Sequence, residues 1–249
     1  MNYQQAFPIV IGLGEFGQHL AMRLTVGGTL YVHDANPDKI ESSVQVTRAI
    51  GLTSLRHLPQ SCEAVILCPG SSPTEVGCQD NLLEWLTPGT LIIDMRPLGA
   101  ADCLAFYERA AIRGLEYVEA AVRGGPEAAV MGELTIAVGG TPESFARARP
   151  WLETMAALVV HSGDIGTGKR ALELQDVMSA VAFATAHQVL NAATGIQSGA
   201  MIDLLVASAM TFRADLRSKP GLLAAEFDSA DALGRAVQRL RTKRTRTHE

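Results

Sequence analysis

The fold is decided by residues 9–34, IVIGLGEFGQHLAMRLTVGGTLYVHD. An apolar run leads into Gly12, Gly14 and Gly17 in GxGxxG spacing, and a helical segment and a second apolar run follow. Gly12 permits a tight turn from strand to helix, Gly14 lets the backbone approach a pyrophosphate, and Gly17 lets helix and strand pack closely. The stretch predicts a βαβ unit that binds a dinucleotide at the helix N-terminus. The alternative is a glycine-rich turn in an ordinary α/β domain.

Asp34 follows the second apolar run. A carboxylate at this position accepts hydrogen bonds from the hydroxyl groups of the adenosine ribose and repels a 2′-phosphate, so we expect NAD to be preferred over NADP. A strand-like segment, Ala64–Cys68, ends just before Pro69 and Gly70, which we expect beside the same cofactor. The predicted cofactor-binding residues are Gly12, Leu13, Gly14, Glu15, Phe16, Gly17, Asp34, Pro69 and Gly70.

Strand-like segments alternate with helical or turn-rich stretches through most of the chain. They lie at Leu30–Asp34, Ala64–Cys68, Leu91–Asp94, Tyr117–Val122 and Leu134–Val138. This alternation predicts an α/β fold with a doubly wound Rossmann-type sheet. From Gly168 the pattern changes to long helical segments, the first to about Ala193 and the next from Gly199 to Arg217. We expect a dinucleotide-binding domain over residues 1–165 and a short all-helical dimerisation or substrate domain over residues 166–249.

Composition excludes several classes of partner. A net charge of −5 gives no reason to expect nucleic acid or an anionic membrane surface. No apolar stretch reaches the roughly 18 residues of a spanning helix, and polar residues precede the first strand, so we expect a cytoplasmic protein without a signal peptide. The chain has no CxxC motif among its four cysteines, Cys62, Cys68, Cys78 and Cys103. This pattern favours buried free thiols over a metal site, and no metal is predicted.

These motifs resemble those of the β-hydroxyacid dehydrogenase superfamily, which includes 3-hydroxyisobutyrate dehydrogenases, 6-phosphogluconate dehydrogenase and imine reductases. The similarity runs from about Pro8 to Asp176 and is strongest in GLGEFGQHLAMRL from Gly12 and AAVRGGPEAAVMGELTIAVGG from Ala120. Glycines at 163, 166 and 168 match the entry to the family's interdomain helix. The resemblance implies hydride transfer between a nicotinamide and a small carbonyl, hydroxy-acid or imine substrate.

The chain departs from the family at the proton donor. The family has a lysine on the interdomain helix, and Leu172 occupies that position here. An aliphatic side chain neither relays a proton nor stabilises an alkoxide. Asp176, one turn further on the same face, and Gln175 are the predicted catalytic residues; the alternative for Asp176 is an ion pair across a subunit interface. Lys169 lies about 4.5 Å nearer the helix N-terminus than Leu172, a longer reach.

The predicted substrate loop also departs from the family. Arg123 stands in place of a serine before Gly124 and Gly125, and Arg96 and Pro97 replace a Ser-Thr pair. Arginine forms bidentate contacts with carboxylates and phosphates, so these changes fit an anionic substrate. The predicted substrate-binding residues are therefore Arg96, Arg123, Gly124 and Gly125. The alternative is that each arginine forms an ion pair with a surface acid.

Two weaker candidates and two hypotheses for the whole chain remain. Glu119 ends a strand near the substrate loop, and His187 lies on the long helix, where a core position is the alternative.

The first hypothesis for the whole chain is an NAD(P)-dependent oxidoreductase with a non-standard proton donor. The second, motivated by Leu172, is a catalytically silent dinucleotide-binding protein that acts as a sensor or partner subunit. Because only about 80 residues follow Gly168, we expect a homodimer with intertwined helical domains.

Overall fold

A computed structural model of the chain describes residues 7–25, 28–59, 61–69, 82–192 and Ala200. Its strands are Phe7–Ile11 (β1), Tyr31–His33 (β2), Ile50–Gly51 (β3), Cys62–Leu67 (β4), Leu91–Asp94 (β5), Glu116–Arg123 (β6), Leu134–Gly139 (β7) and Ala156–Gly163 (β8). Its helices are Glu15–Leu24 (α1), Pro37–Thr47 (α2), Ala100–Ile112 (α3), Pro126–Met131 (α4), Pro142–Glu153 (α5) and Thr167–Ala192 (α6).

Within these ranges the strands form one sheet in the order β3-β2-β1-β4-β5-β6-β7-β8. Neighbouring strands are parallel except β6 and β7, which pair antiparallel. The chain leaves β1 first toward β2 and then, after β3, crosses back to β4 on the other side of β1. The carboxyl ends of β1 and β4 therefore border the crevice where open α/β sheets bind their ligands. The predicted doubly wound α/β sheet is confirmed.

Both faces of the sheet are covered by apolar side chains. Along β1, Val10 packs into one cluster with Leu20 and Ile93, whereas Ile9 and Ile11 pack into a second cluster with Tyr117. Successive residues of a strand point to opposite faces, so β1 is buried on both sides. Such two-sided burial is typical of parallel sheets, and it fixes the strand ends that carry the site.

The glycine-rich turn joins β1 to α1 as the sequence predicts. Gly12 has φ +93°, a conformation that favours glycine. A Cβ built on Gly17 would lie 1.8 Å from the Gly12 carbonyl oxygen, so α1 can cross the turn only with glycine there. At Gly14, by contrast, a Cβ would meet only the Pro69 carbonyl oxygen, at 3.9 Å. Gly17 therefore serves packing, whereas Gly14 leaves open space above the turn.

Most predicted elements are present and two strands were missed. The five predicted strand segments appear as β2, β4, β5, β6 and β7, and the predicted long helix is α6. β3 and β8 were not among the predicted strands. Gly70, Cys78 and, apart from Ala200, the helix predicted from Gly199 to Arg217 lie outside the described residues. Contacts divide the chain into two units, the first of which ends at Met178 and contains the whole sheet. The domain boundary at residue 165 stays a prediction.

No helix in the described ranges combines the length and the apolar character that crossing a bilayer requires.

We expect Gly17→Ala to lower the free energy of unfolding by about 3 kcal/mol, because the added methyl overlaps the Gly12 carbonyl. Gly14→Ala is the matched control, since its methyl meets no atom closer than 3.9 Å and its φ of −62° suits alanine. Gly14→Ala should change stability by less than about 0.5 kcal/mol. Urea unfolding followed by circular dichroism measures both. Equal stabilities for the two variants would contradict the packing role of Gly17.

Candidate functional site

A pocket of about 400 Å³ lies at the carboxyl ends of the central strands. Its wall combines Phe16 of α1, Pro69 after β4, the segment that follows β5, the end of β6 and one face of α6. The glycine-rich turn and α6 therefore contribute to the same pocket. Because parallel strands end at the same edge, side chains distant in sequence meet here.

The cofactor side of the site is organised by Asp34, whose side chain is buried. Its Oδ2 accepts a hydrogen bond of 2.7 Å from the Leu13 N–H, and its Oδ1 accepts one of 2.9 Å from the Asn36 N–H. Lys39 Nζ lies 3.6 Å from Oδ2. The carboxylate thus ties the end of β2 to the glycine-rich turn, where a ribose would lie beside the pyrophosphate. The turn and Asp34 lie together, and at Gly14 a Cβ would meet no atom closer than 3.9 Å, which leaves room for a group to approach the backbone.

Arg96 is held against Asp94 at the end of β5. Arg96 Nε donates to Asp94 Oδ1 at 2.7 Å, and the NH2 nitrogen donates to Oδ2 at 2.5 Å. Tyr117 also donates its hydroxyl proton to Oδ2, and the guanidinium lies 4.9 Å from the centre of the Phe106 ring. Both ionic side chains are almost fully buried, with 6% and 1% exposed. The acid that pairs with Arg96 is therefore buried rather than on the surface.

Arg123, at the end of β6, forms an ion pair with Asp176 of α6. Asp176, Gly124 and Gly125 line the pocket, whereas Gln175 is exposed and does not. Arg123 Nε is buried without a hydrogen-bond partner among the described residues. Asp176 therefore pairs within its own chain, and the contact joins the predicted substrate loop to the predicted catalytic helix.

Glu119 anchors the start of α6. Its buried carboxylate accepts hydrogen bonds from the Gly166 N–H and, at 2.7 Å, from the Lys169 N–H. A Cβ on Gly168 would lie 2.5 Å from the Ala137 carbonyl oxygen and 2.9 Å from Glu119 Oε1. The sequence interpretation missed this role. A carboxylate in a buried strand, followed later by a glycine-rich helix start, is the signal that could have found it.

Leu172 and Lys169 lie on the pocket face of α6. Leu172 is 9% exposed and offers the pocket only an aliphatic surface. Lys169 Nζ donates a hydrogen bond of 2.9 Å to the Leu98 carbonyl oxygen, in the segment after β5. The amine thus lies within the pocket wall, although the sequence predicts a longer reach for this residue than for position 172.

Cys103 also lines the pocket, with its thiol protonated at neutral pH. Burial raises the pKa of Cys103 to about 11, and a hydrogen bond with Tyr117 opposes this shift only partly. Burial likewise raises the pKa of Tyr117. Because the thiolate is the nucleophile, Cys103 is unsuited to covalent catalysis near neutral pH. Among the described residues, no group of three or more His, Cys, Asp or Glu side chains could hold a metal ion.

Comparison with known proteins identifies the part of the chain that contains the glycine-rich turn and the sheet as an NAD-binding domain. Residues 9–163 match the family described as the NAD binding domain of 6-phosphogluconate dehydrogenase. An NAD-dependent L-serine dehydrogenase of Pseudomonas aeruginosa is 31% identical over 202 residues, which cover 78% of this chain and 67% of the relative. The chain spans 59% to 67% of the length of the first curated relatives it matches.

Solved structures give the same result for the fold. The structure of Mycobacterium tuberculosis 3-hydroxyisobutyrate dehydrogenase with L-serine has a TM-score of 0.68 and 25% identity, covering 81% of this chain and 70% of that one. An imine reductase from Streptomyces aurantiacus has a TM-score of 0.68 at 17% identity, covering 91% of this chain and 81% of that one. At that identity, the second comparison concerns the fold alone.

Proposed function

Because the chain belongs to the NAD-binding family of 6-phosphogluconate dehydrogenase, within the β-hydroxyacid dehydrogenase superfamily, we propose that it is an NAD(P)-dependent oxidoreductase. It transfers hydride between a nicotinamide and a small carbonyl, hydroxy-acid or imine substrate. One observation carries the proposal: a single pocket joins Phe16 and Pro69, beside the cofactor turn, to Leu172 and Asp176 of α6. The nicotinamide of a dinucleotide bound at the turn would supply the hydride chemistry, and the protein would position the substrate beside that ring.

The remaining roles follow the positions of the side chains. Gly124, Gly125 and Arg96 shape the substrate side of the pocket, Arg123 reaches it through its ion pair with the lining residue Asp176, and Gln175 and Asp176 are the proposed polar groups of the helix. Both arginines are already paired with carboxylates of this chain. An anionic substrate group must therefore compete with Asp94 or Asp176 for a guanidinium, which makes the ion pairs part of substrate selection.

We propose that NAD is preferred over NADP because of Asp34. Asp34→Asn removes the negative charge that a 2′-phosphate would meet, and it weakens the acceptor offered to the ribose hydroxyls. We expect the Kd of NADH to rise about tenfold, or about 1.4 kcal/mol, and the Kd of NADPH to fall. Isothermal titration calorimetry with each cofactor measures the change.

Asp38→Asn is the matched control for this prediction. Asp38 lies in the first turn of α2 and is exposed, so the substitution removes the same charge near the same helix. Its cofactor affinities should stay within about twofold of those of the unmodified protein. An unchanged ratio of the two affinities in Asp34→Asn would show that Asp34 does not select the cofactor.

A second candidate function is a dinucleotide-binding protein without turnover, acting as a sensor or partner subunit. Leu172 favours this second function, because its buried aliphatic side chain lies in the pocket at the position where the chain's resemblance to the family implies a lysine. In that case cofactor binding would persist while hydride transfer would not occur.

Nicotinamide absorbance with L-serine, 3-hydroxyisobutyrate and a cyclic imine separates the two functions. For an oxidoreductase we expect turnover that survives Leu172→Lys and falls at least about 100-fold in Asp176→Ala, because Asp176 pairs with Arg123 and so positions the substrate loop against α6. Activity that appears only in Leu172→Lys, while the unmodified chain binds NADH, would instead support the silent protein. Glu153→Ala, an exposed acid on α5, controls for general loss of charge.

We further propose that the helical part from residue 166 onward forms a homodimer. Leu174, Val177, Met178 and Val181 follow helical spacing on α6 and are 59%, 62%, 66% and 53% exposed. An exposed stripe of this kind is typical of a surface that packs against another helix. A cytoplasmic location stays a prediction.

Val177→Lys should therefore shift the protein from dimer to monomer, because the charge would be buried in the interface. Val46→Lys is the control, since Val46 on α2 is equally exposed, at 62%. Light scattering after size-exclusion chromatography gives the masses. The proposal fails if the unmodified protein is a monomer, or if Val177→Lys has the mass of the Val46→Lys variant.

A further inference from the structure

The charged side chains of the pocket are mostly committed to one another. Asp94 and Arg96 form a bidentate pair, and Asp176 pairs with Arg123. Glu119 has one oxygen on the Gly166 N–H and the other on the Lys169 N–H. These groups hold strands and helix together, and a paired carboxylate accepts protons rather than donating them.

Lys169 is the exception among the lining cations. Its ammonium group has three donors, of which one goes to the Leu98 carbonyl oxygen. None of the ion pairs among the described residues includes Lys169. Glu173, four residues further along the same face, is exposed and lines the same pocket. The lysine therefore has donors to spare, and an exposed carboxylate lines the same pocket.

The direction of helical side chains decides where an amine carried at position 169 or at position 172 would lie. Long side chains on a helix lean toward its N-terminus. A lysine at position 172 would thus carry its amine over the preceding turn, where Lys169 begins. Moving the lysine to position 169 shifts the amine toward the segment after β5, which is where Nζ contacts Leu98.

We propose that Lys169 is the proton donor of this site and takes over the task that Leu172 cannot perform. The proposal rests on the proposed function. As hydride reaches the carbonyl carbon, the π electron pair moves to the oxygen, which takes a proton from Lys169 Nζ and becomes a hydroxyl. The neutral amine then regains a proton from solvent. In the reverse direction the neutral amine would accept the hydroxyl proton as hydride leaves the carbon for the bound cofactor.

Three variants test this role. Lys169→Met removes the ammonium but keeps the length of the side chain and the backbone N–H that Glu119 binds. Lys169→Arg keeps the positive charge on a group that does not release its proton. Arg170→Met is the matched control, because Arg170 is the next residue on α6, is exposed, and does not line this pocket. Thermal unfolding checks each fold, and Lys169→Gln replaces Lys169→Met if that variant is unfolded.

With a substrate that the unmodified protein turns over, kcat should fall by about 100-fold to 10,000-fold in Lys169→Met. Lys169→Arg should lose activity almost as far, whereas Arg170→Met should stay within about twofold. KM should change by less than about threefold. The Kd of NADH, measured by calorimetry, should be unchanged in all three variants, because Lys169 acts on the substrate rather than on the dinucleotide.

A labelling experiment gives a readout other than turnover. The lysines of the chain are Lys39, Lys169, Lys219 and Lys243, so acetylation at each can be followed by peptide mass spectrometry. In the unmodified protein, NADH together with the alcohol form of the substrate makes a complex in which hydride cannot move. We expect that complex to slow acetylation of Lys169 at least about fivefold, since the amine contacts the substrate hydroxyl.

The outcomes separate this proposal from the proposed function. If the unmodified protein binds NADH but transfers no hydride with any panel substrate, both fail. If it turns over and Lys169→Met is equally active, only the role of Lys169 is overturned. Activity retained in Lys169→Arg would reduce the role to charge alone and also overturn proton donation. An unchanged rate of Lys169 acetylation in the complex would do the same.

Discussion

The geometry of the site depends on one buried carboxylate, that of Glu119. Burying a charge is costly unless hydrogen bonds replace water, and here the N–H groups of Gly166 and Lys169 do so at the positive end of the α6 dipole. Gly139 and Gly168 lack the Cβ atoms that would keep strand, carboxylate and helix apart. Since α6 begins at this contact, the position of each site residue on the helix follows from it.

Local signals made much of the fold predictable. The glycine-rich turn requires a positive φ at Gly12 and the absence of a side chain at Gly17. The spacing of the glycines in the sequence indicates both requirements. The two missed strands differ in this respect. β3 is only Ile50–Gly51, too short to give a pattern of its own, and it pairs at one edge of the sheet. β8, at the other edge, begins with the apolar run Ala156–Val160, which could have indicated a strand although Leu158 and Val160 are exposed.

The site was predictable where its parts are adjacent in the chain and not where they meet through the fold. The turn and Asp34 belong to one βαβ unit, so their proximity follows from that motif. The partner of Arg123 could not be inferred, because Asp176 reaches it only once α6 has been anchored on the sheet. The contact of Arg96 with Asp94 is local, and two residues of spacing at a strand end would have indicated it.

The paired charges also explain how the pocket tolerates its departures from the family. An unpaired guanidinium is costly where it is buried, as Arg96 is, and Asp94 offsets that cost; Arg123 is 35% exposed and pairs with Asp176. The resemblance implies a lysine at position 172; Leu172 offers no cation there, and Lys169 lies in the same pocket wall one turn earlier. The Arg123–Asp176 pair joins the end of β6 to α6, and the proposed proton transfer is left to the one lining cation that the described ion pairs do not include.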